Sequence, residues 1–176
     1  QQGSRPRIEP PRRLADGTVM EIDHATRHNL ELTMTLSGER RGSLLSVIDQ
    51  TQTGAGARAL AARLAAPLRD LDEIKRRQDS VQHFFDDRTI REAVRDFLKG
   101  CPDLERALSR LTLGRGGPRD LAAIRDGLSL SSNIQDLLKG DNICEAINRA
   151  ATNIGTHNTL VEKLTRALAP DLPFYA

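Results

Sequence analysis

The stretch Arg88–Lys99 reads RTIREAVRDFLK and shows the clearest periodicity in the chain. Its apolar residues fall at positions i, i+3, i+4, i+7 and i+8, the spacing that lines one face of an α-helix. The residues of this stripe are Ile90, Ala93, Val94, Phe97 and Leu98. The pattern predicts an amphipathic helix that buries this face, and similar spacing continues on both sides of it.

Helix boundaries follow from capping residues and prolines. Thr53 can cap a helix that ends before Pro67, because the residue ahead of a proline avoids the α region. Asp70 can cap the next helix, and Pro102 suits the first turn of a later one, where a missing N–H costs nothing. Pro118 opens a long segment of helical periodicity. The sequence therefore predicts a chain that is helical almost without interruption from residue 53 onward.

The N-terminal part of the chain differs in composition. Residues 1–17 carry three prolines and four arginines, which predicts an extended connector from a preceding domain. Thr18–Ile22 alternates like a short strand. Asp23 follows as a candidate N-cap for a helix over His24–Met34. We therefore predict an all-α, multihelical core domain with a short strand-like segment at its N-terminal end.

Composition excludes several classes of protein. The chain has 176 residues, of which 26 are basic and 24 acidic, so its net charge of +2 is too small for a dedicated nucleic-acid binder. Four Phe, one Tyr and no Trp leave few rings to stack on bases, so we expect weak DNA binding that is indifferent to mismatches. No apolar run approaches the ~20 residues of a membrane span. Cys101 and Cys144 lack metal-binding spacing, which favours free thiols in a reducing compartment.

Three short patterns could carry chemistry, and each has a simpler structural interpretation. His24 and His28 lie four residues apart and could share a zinc ion, but no other histidine has matching spacing, so two solvated histidines are favoured. The sequence Gly54-Ala-Gly56 lacks the third glycine of a dinucleotide fingerprint and is interpreted as a helix opening that permits close packing. Gly114–Gly117 lacks the Lys-Ser/Thr of a phosphate-binding loop and reads as a helix end and loop. The sequence therefore predicts no catalytic, metal-ligating or cofactor-binding residues.

Seven motifs keep their order and approximate spacing across residues 18–128. They are MEIDHATRHNLEL (20–32), LSG (36–38), GSLLSVID (42–49), TQTGAGAR (51–58), LAAPLRD (64–70), DLERALSRL (103–111) and PRDL (118–121). Together they resemble the opening of the core domain of the MutS family of DNA mismatch-repair proteins. The chain departs from the family at His24 and His28, where an alanine and a basic residue are usual, and this weakens the zinc hypothesis further. Gly54-Ala55 also replaces a more usual Pro-Met-like pair.

The resemblance implies a role within a larger bacterial, cytoplasmic protein. Members of the family are dimers that clamp mismatched double-stranded DNA, respond to ATP and Mg in a separate domain, and act with the repair partner MutL. Their helical core joins the connector and ATPase regions to the levers of the DNA clamp. We therefore expect residues 18–139 to form a MutS-like core, and residues 140–176 to form C-terminal helices that lead toward the lever and clamp.

The same resemblance implies that this chain is a structural or transmitting fragment and not itself an enzyme, with no cofactor of its own and no membrane partner. Its partners would be the other domains of the parent protein. The motif residues expected to have structural roles are Asp23, Thr26, Asn29, Leu30, Glu31, Gly56, Arg58, Asp103, Leu104, Glu105, Arg106, Pro118, Arg119 and Asp120. The polar members among the first five could brace either the local fold or a junction between domains, and bracing of the fold is favoured. The alternatives are a stand-alone helical module that binds nucleic acid or protein, and a small metalloenzyme built on the two histidines.

Two apolar stripes give further expectations about packing. Leu104, Leu108 and Leu111 have i, i+4, i+7 spacing, and we expect all three to be buried against the stripe of residues 90–98. Leu160, Val161, Leu164 and Leu168 form a second stripe near the C-terminal end. This stripe could fold back onto the local core or associate with a second copy of the chain, and we expect self-association.

The absence of a G-x-x-x-x-G-K-[ST] loop anywhere in the sequence predicts that the isolated chain neither binds ATP tightly nor hydrolyses it. Titration calorimetry of the chain with ATP and Mg is the direct check, and we expect no saturable heat. A stoichiometric binding isotherm would contradict the prediction.

Overall fold

A computed structural model describes residues 19–140, 143–169 and 171. These residues form nine α-helices and no strand, which confirms the all-α prediction. None of the described helices is both long and apolar enough to cross a membrane. The helices are α1 His24–Asn29, α2 Leu44–Ile48, α3 Gly54–Ala65, α4 Leu71–Asp86, α5 Arg88–Lys99, α6 Leu104–Thr112, α7 Pro118–Leu137, α8 Glu145–Ile154 and α9 Asn158–Ala167.

The strand-like segment amounts to a single antiparallel bridge. Val19 pairs with Leu68, and the backbone N–H of Met20 donates to the carbonyl of Pro67 at 2.8 Å. These bonds attach the beginning of the described chain to the α3–α4 connection. The connector predicted for residues 1–17 lies outside the described residues.

The first helix is shorter than predicted, because α1 ends at Asn29 instead of continuing to Met34. Glu31 adopts a left-handed backbone conformation, with φ of 47°, which turns the chain out of the helical path. The turn directs the carbonyls of Glu31 and Leu32 toward the start of α2, where they accept hydrogen bonds from the N–H groups of Leu44 and Leu45 at 3.0 and 2.9 Å. Helical periodicity alone could not show this tertiary pairing.

Several predicted caps are confirmed. The side chains of Asp23, Thr53 and Asp70 each accept a hydrogen bond from a backbone N–H in the first turn of α1, α3 and α4. The prediction for Pro102 is wrong, because α6 begins at Leu104 and Asp103 is its N-cap. An aspartate can satisfy a free N–H of the first turn with its carboxylate, so Asp103 takes the capping position and Pro102 stays ahead of the helix.

The long helix α7 is the spine of the fold, and it packs against α5, α6, α8 and α9. At its C-terminal end, Leu138 forms a buried cluster with Ile147 and Ala151 of α8. Ile90 and Val94 of the predicted α5 stripe pack against this cluster. The stripe of α5 is therefore partly buried on the side that its periodicity predicts, although no residue of α5 is fully buried.

The predicted burial of Leu108 is wrong. Its side chain is 59% exposed, and Ala107 is the buried residue of α6. The reason is that α6 packs chiefly on α7, where Gly127 lies directly under Leu104, while Gly116 in the loop before α7 lies under Leu111. Leu104 thus contacts α7 and Leu111 contacts the loop before it, while Leu108 between them faces away.

Two further apolar surfaces lie on α4 and α9. Leu71, Val81 and Phe85 of α4 are between 69% and 74% exposed. The helix α9 packs against α7 within the same chain, as the first of the two arrangements of the C-terminal stripe requires, and self-association stays a prediction. Leu160 nevertheless remains 45% exposed.

The closeness of α6 and α7 at Gly127 gives a test. A Cβ at this position would lie 2.5 Å from Cδ2 and 2.9 Å from Cγ of Leu104. We expect Gly127→Ala to lower the free energy of unfolding by about 1 kcal/mol, because overpacking outweighs the better helix propensity of alanine. Chemical denaturation measures this loss.

The matched control is Gly100→Ala, where the nearest atom to a new Cβ lies 3.8 Å away, and it should be close to neutral. Combining Gly127→Ala with Leu104→Ala should cost less than the sum of the two single changes. Additive costs would show that the contact does not limit the approach of the helices.

Candidate functional site at the junction of α3 and α6

Arg58 in the second turn of α3 and Asp103 at the N-cap of α6 meet across the fold, although 45 residues separate them in the sequence. The Arg58 guanidinium donates from Nη1 to Oδ2 of Asp103 at 2.7 Å and from Nη2 to Oδ1 at 2.9 Å. Its Nη2 also donates to Oε2 of Glu105 at 2.7 Å. We call these three residues the Arg58 node.

The node combines a paired geometry with partial burial. Two parallel N–H···O bonds fix both the distance and the orientation of α3 relative to α6, which a single lysine contact could not do. The side chains of Arg58 and Asp103 are 39% and 24% exposed. The node is thus held more firmly than the exposed ion pairs within single helices, such as Arg88–Glu92.

The sequence around the node prepares it locally. Thr53 caps α3 by accepting the N–H of Gly56 at 2.9 Å, which sets the direction of the helix that carries Arg58. Gly54 lies so close to the node that a Cβ there would be 3.2 Å from Oδ2 of Asp103. The small residues at the beginning of α3 therefore permit the close approach that the Gly-Ala-Gly pattern predicts.

The hydrogen bonds of the node stabilise the charged forms of Asp103 and Arg58. The hydrogen bonds from Arg58 are the main reason that the pKa of Asp103 falls from its ordinary value of 3.8 to about 2. Asp103 also accepts the backbone N–H of Arg106 at 3.2 Å, so one carboxylate caps α6 and binds Arg58 at the same time. The two carboxylates in turn raise the pKa of Arg58 above its ordinary value, chiefly through their hydrogen bonds.

The node joins two parts of the structure. We call residues 19–66, which contain α1 to α3, the N-terminal unit, and we call α4 to α9 the helical block. Besides the node, one bond from a side chain to a backbone carbonyl crosses between the parts, and one backbone bond ties the N-terminal unit to the α3–α4 connection. Arg95 of α5 donates to the carbonyl of Gln50 at 3.0 Å, and Met20 bonds to Pro67 as described above. Among these links, only the node fixes one helix against another through paired charges.

The PRDL motif organises the beginning of α7. Pro118 occupies the first turn, and Oδ2 of Asp120 accepts the N–H of Gly117 at 3.0 Å. Arg110 of α6 lies 3.5 Å from Oδ1 of Asp120, so this carboxylate also links α6 to α7. Arg119, which lies between Pro118 and Asp120 in the sequence, is exposed.

The N-terminal motif residues make local bonds. Asp23 accepts the N–H of Thr26 at 2.9 Å and its hydroxyl at 2.6 Å, and Oε1 of Glu31 accepts the N–H of Leu36 at 2.6 Å. Asn29 and Leu30 are exposed. The bonds of Asp23 and Glu31 brace the fold within the N-terminal unit.

The histidine pair has no metal-binding surroundings. The rings of His24 and His28 stack with their centroids 6.4 Å apart. Within the described residues, no group of three or more His, Cys, Asp or Glu side chains could hold a metal ion. Cys101 and Cys144 are both free thiols.

Sequence reasoning selected Arg58, Asp103 and Glu105 individually but missed that they meet. The signal that could have suggested the pairing is that each lies in a different motif at the beginning of a helix, with opposite charges. It also missed Gln50 and Arg95, which carry no motif of their own.

Comparison with known proteins identifies the family to which this chain belongs. The family model described as MutS domain III matches residues 25–176. This chain belongs to the MutS family. Its domain III sequence is 50% identical over 177 residues to the DNA mismatch repair protein MutS of Rhodopseudomonas palustris strain BisB5, covering 98% of this chain and 19% of that protein. It is 49% identical over 176 residues to MutS of Paracoccus denitrificans, covering 100% of this chain and 20% of that protein.

A third relative shows higher identity over a shorter range. MutS of Nitrobacter hamburgensis is 59% identical over 128 residues, which cover 73% of this chain and 14% of that protein. The chain therefore spans about a fifth or less of the length of these MutS relatives. The motif-based resemblance to the MutS core is confirmed.

The depressed pKa of Asp103 predicts how stability depends on pH. Asp103→Asn keeps a side chain that can cap α6 but removes the charge, so its effect isolates the ion pair. We expect the variant to be less stable than the parent at pH 7. The difference should be fully present above the ordinary pKa of 3.8 and should vanish as the pH falls through about 2, where Asp103 itself becomes neutral.

Thermal unfolding followed by circular dichroism at several pH values measures this difference. Asp96→Asn is the matched control, because its pair with Lys99 lies within α5 and is 71% exposed on the aspartate side. The control should change stability little at any pH. A loss for Asp103→Asn that persists unchanged at pH 2 would show that charge pairing does not hold the junction.

Proposed function

We propose that this chain is a transmitting core of a MutS-type mismatch-repair protein, which links connector and ATPase regions to the clamp that holds DNA. In this role the chain carries mechanical coupling and performs no catalytic step of its own. The observation that carries the proposal is the Arg58 node, because it ties the N-terminal unit to the helical block through paired charges. The family membership of the chain supplies the context.

The helical block has the properties that transmission requires. The spine α7 contacts four other helices, so a displacement of one end is passed on through packed side chains. Two parts joined by few polar contacts can adopt alternative dockings, whereas a continuous core would resist them. The node suits such a junction because a bidentate ion pair is strongly directional and is either made or lost.

The whole protein would supply the chemistry. In this proposal a parent dimer binds mismatched double-stranded DNA, and a separate domain binds ATP with Mg and hydrolyses it. The repair partner MutL would act on the parent protein in the cytoplasm. The motif residues Asp120 and Asp103 position the beginnings of α7 and α6 and do not contact nucleotide.

The proposal can be tested in MutS of Paracoccus denitrificans with its matching segment replaced by this chain, since the two align over the full chain length. Arg58→Met removes the node while retaining an unbranched side chain of helical propensity. We expect mismatch binding and basal ATP hydrolysis to persist, while the effect of ATP on DNA release falls by about fivefold or more. Fluorescent duplex release and phosphate production measure the two sides separately.

The control is Arg88→Met, which removes an exposed ion pair within α5. It should leave binding, hydrolysis and their coupling unchanged. If Arg58→Met leaves the coupling intact in a folded protein, the node is not part of the transmitting junction.

A further inference from the structure

A groove of about 940 Å³ runs between α4 and α8 and is outside the motifs already described. Its apolar surface includes Val81, Phe84 and Phe85 of α4, and Ile147 and Ala150 of α8. Val81 and Phe85 are 69% and 74% exposed, so the outer part of this surface is open to solvent. Large exposed apolar side chains that lie together along a groove are typical of a binding surface.

The rim of the groove is basic. Of the described lining residues, five are arginines and only Glu73 is acidic; the arginines are Arg63, Arg76, Arg77, Arg91 and Arg149. Glu73 is already paired with Arg76 at 2.6 Å. The rim therefore has a clear excess of positive charge.

Three of the rim arginines have no acidic partner within the described part of the chain: Arg63, Arg77 and Arg149. Arg76 is paired with Glu73 through Nη2, and its Nε–H is buried without an acceptor in the described residues. Arg91 is different, since it donates to the carbonyls of Phe84 and Phe85 at the end of α4, at 2.6 and 3.0 Å. The groove thus offers an apolar floor and several cationic donors that are available to an incoming carboxylate.

We infer that this groove binds an acidic amphipathic helix, with apolar side chains on the floor and glutamate or aspartate side chains against the arginine rim. A helix presents both kinds of side chain along one side, because residues at i, i+3, i+4 and i+7 share a face and their neighbours flank it. Arginine binds carboxylates in a planar, two-bond geometry, which makes the rim specific for acidic flanks. This inference does not rest on the proposed transmitting function.

Two other occupants fit the groove less well. A second copy of this chain that met the groove with its own groove would bring five further arginines to an already basic rim. Duplex DNA would satisfy the arginines through phosphates but would leave the exposed Val81 and Phe85 without an apolar partner. The combination of floor and rim favours a protein helix.

The test uses fluorescein-labelled helical peptides of about 18 residues, long enough for five turns. The acidic probe carries leucines at i, i+3, i+4 and i+7 repeats with flanking glutamates. A matched basic peptide keeps the leucines and replaces each glutamate by lysine. Fluorescence anisotropy with the 176-residue chain should show saturable binding of the acidic probe, weakened by salt, and binding of the basic peptide at least about tenfold weaker.

Two variants locate the site. Phe85→Ser and Arg149→Glu should each weaken binding of the acidic probe by about fivefold or more. The controls are Val47→Ser, which removes an apolar side chain of similar exposure from α2, and Arg115→Glu, which makes the same charge change in the loop before α7. Both controls should bind as the parent does, and circular dichroism should show all four variants folded.

Four results would overturn the inference. They are the absence of saturable binding, equal binding of the acidic and basic peptides, and losses that are no greater for the groove variants than for their controls. The fourth is evidence that the groove binds another partner and not the acidic probe. Such evidence would be self-association that Phe85→Ser abolishes, or binding of duplex DNA that Arg149→Glu abolishes.

Discussion

The contact of Leu104 with Gly127 is the constraint on which the arrangement of this chain depends. Because Gly127 has no side chain, α6 can lie close against the middle of α7, with Leu104 seated on its backbone. This placement fixes the N-terminal end of α6, where Asp103 caps the helix and holds Arg58. A packing contact inside the helical block thereby determines where the N-terminal unit is attached.

Much of the helical architecture could be predicted from local sequence. Thr53 and Asp70 cap their helices as expected, because capping depends on the few residues around a helix start. The periodic stripe of α5 is partly buried, because an amphipathic helix needs a packing partner for its apolar face. Arg58 and Asp103 were recognised from motifs, but their pairing depends on tertiary structure that no local pattern contains.

The failures have physical causes that lie outside the local sequence. Leu108 has the spacing of a core residue, yet Leu104 and Leu111 pack on Gly127 of α7 and on Gly116 in the loop before it, which leaves Leu108 exposed. Glu31 ends α1 early because its carbonyl is used by α2. Phe85 and Val81 lie on an apolar face of α4 that remains largely exposed in the described part of the chain. For Leu108 and Glu31, a partner outside their own helix decides the outcome.

Hydrogen exchange of the 176-residue chain tests most directly whether the Arg58 node holds the N-terminal unit to an independently stable helical block. Arg58→Met should accelerate exchange of the α3 amides while α6 and α7 keep their slow exchange, because the block retains its own packing. Two other results are possible for Arg58→Met: exchange that accelerates equally in α3, α6 and α7, or exchange in α3 that is unchanged from the parent. Either would contradict the account, since the two parts would then not be joined through this ion pair.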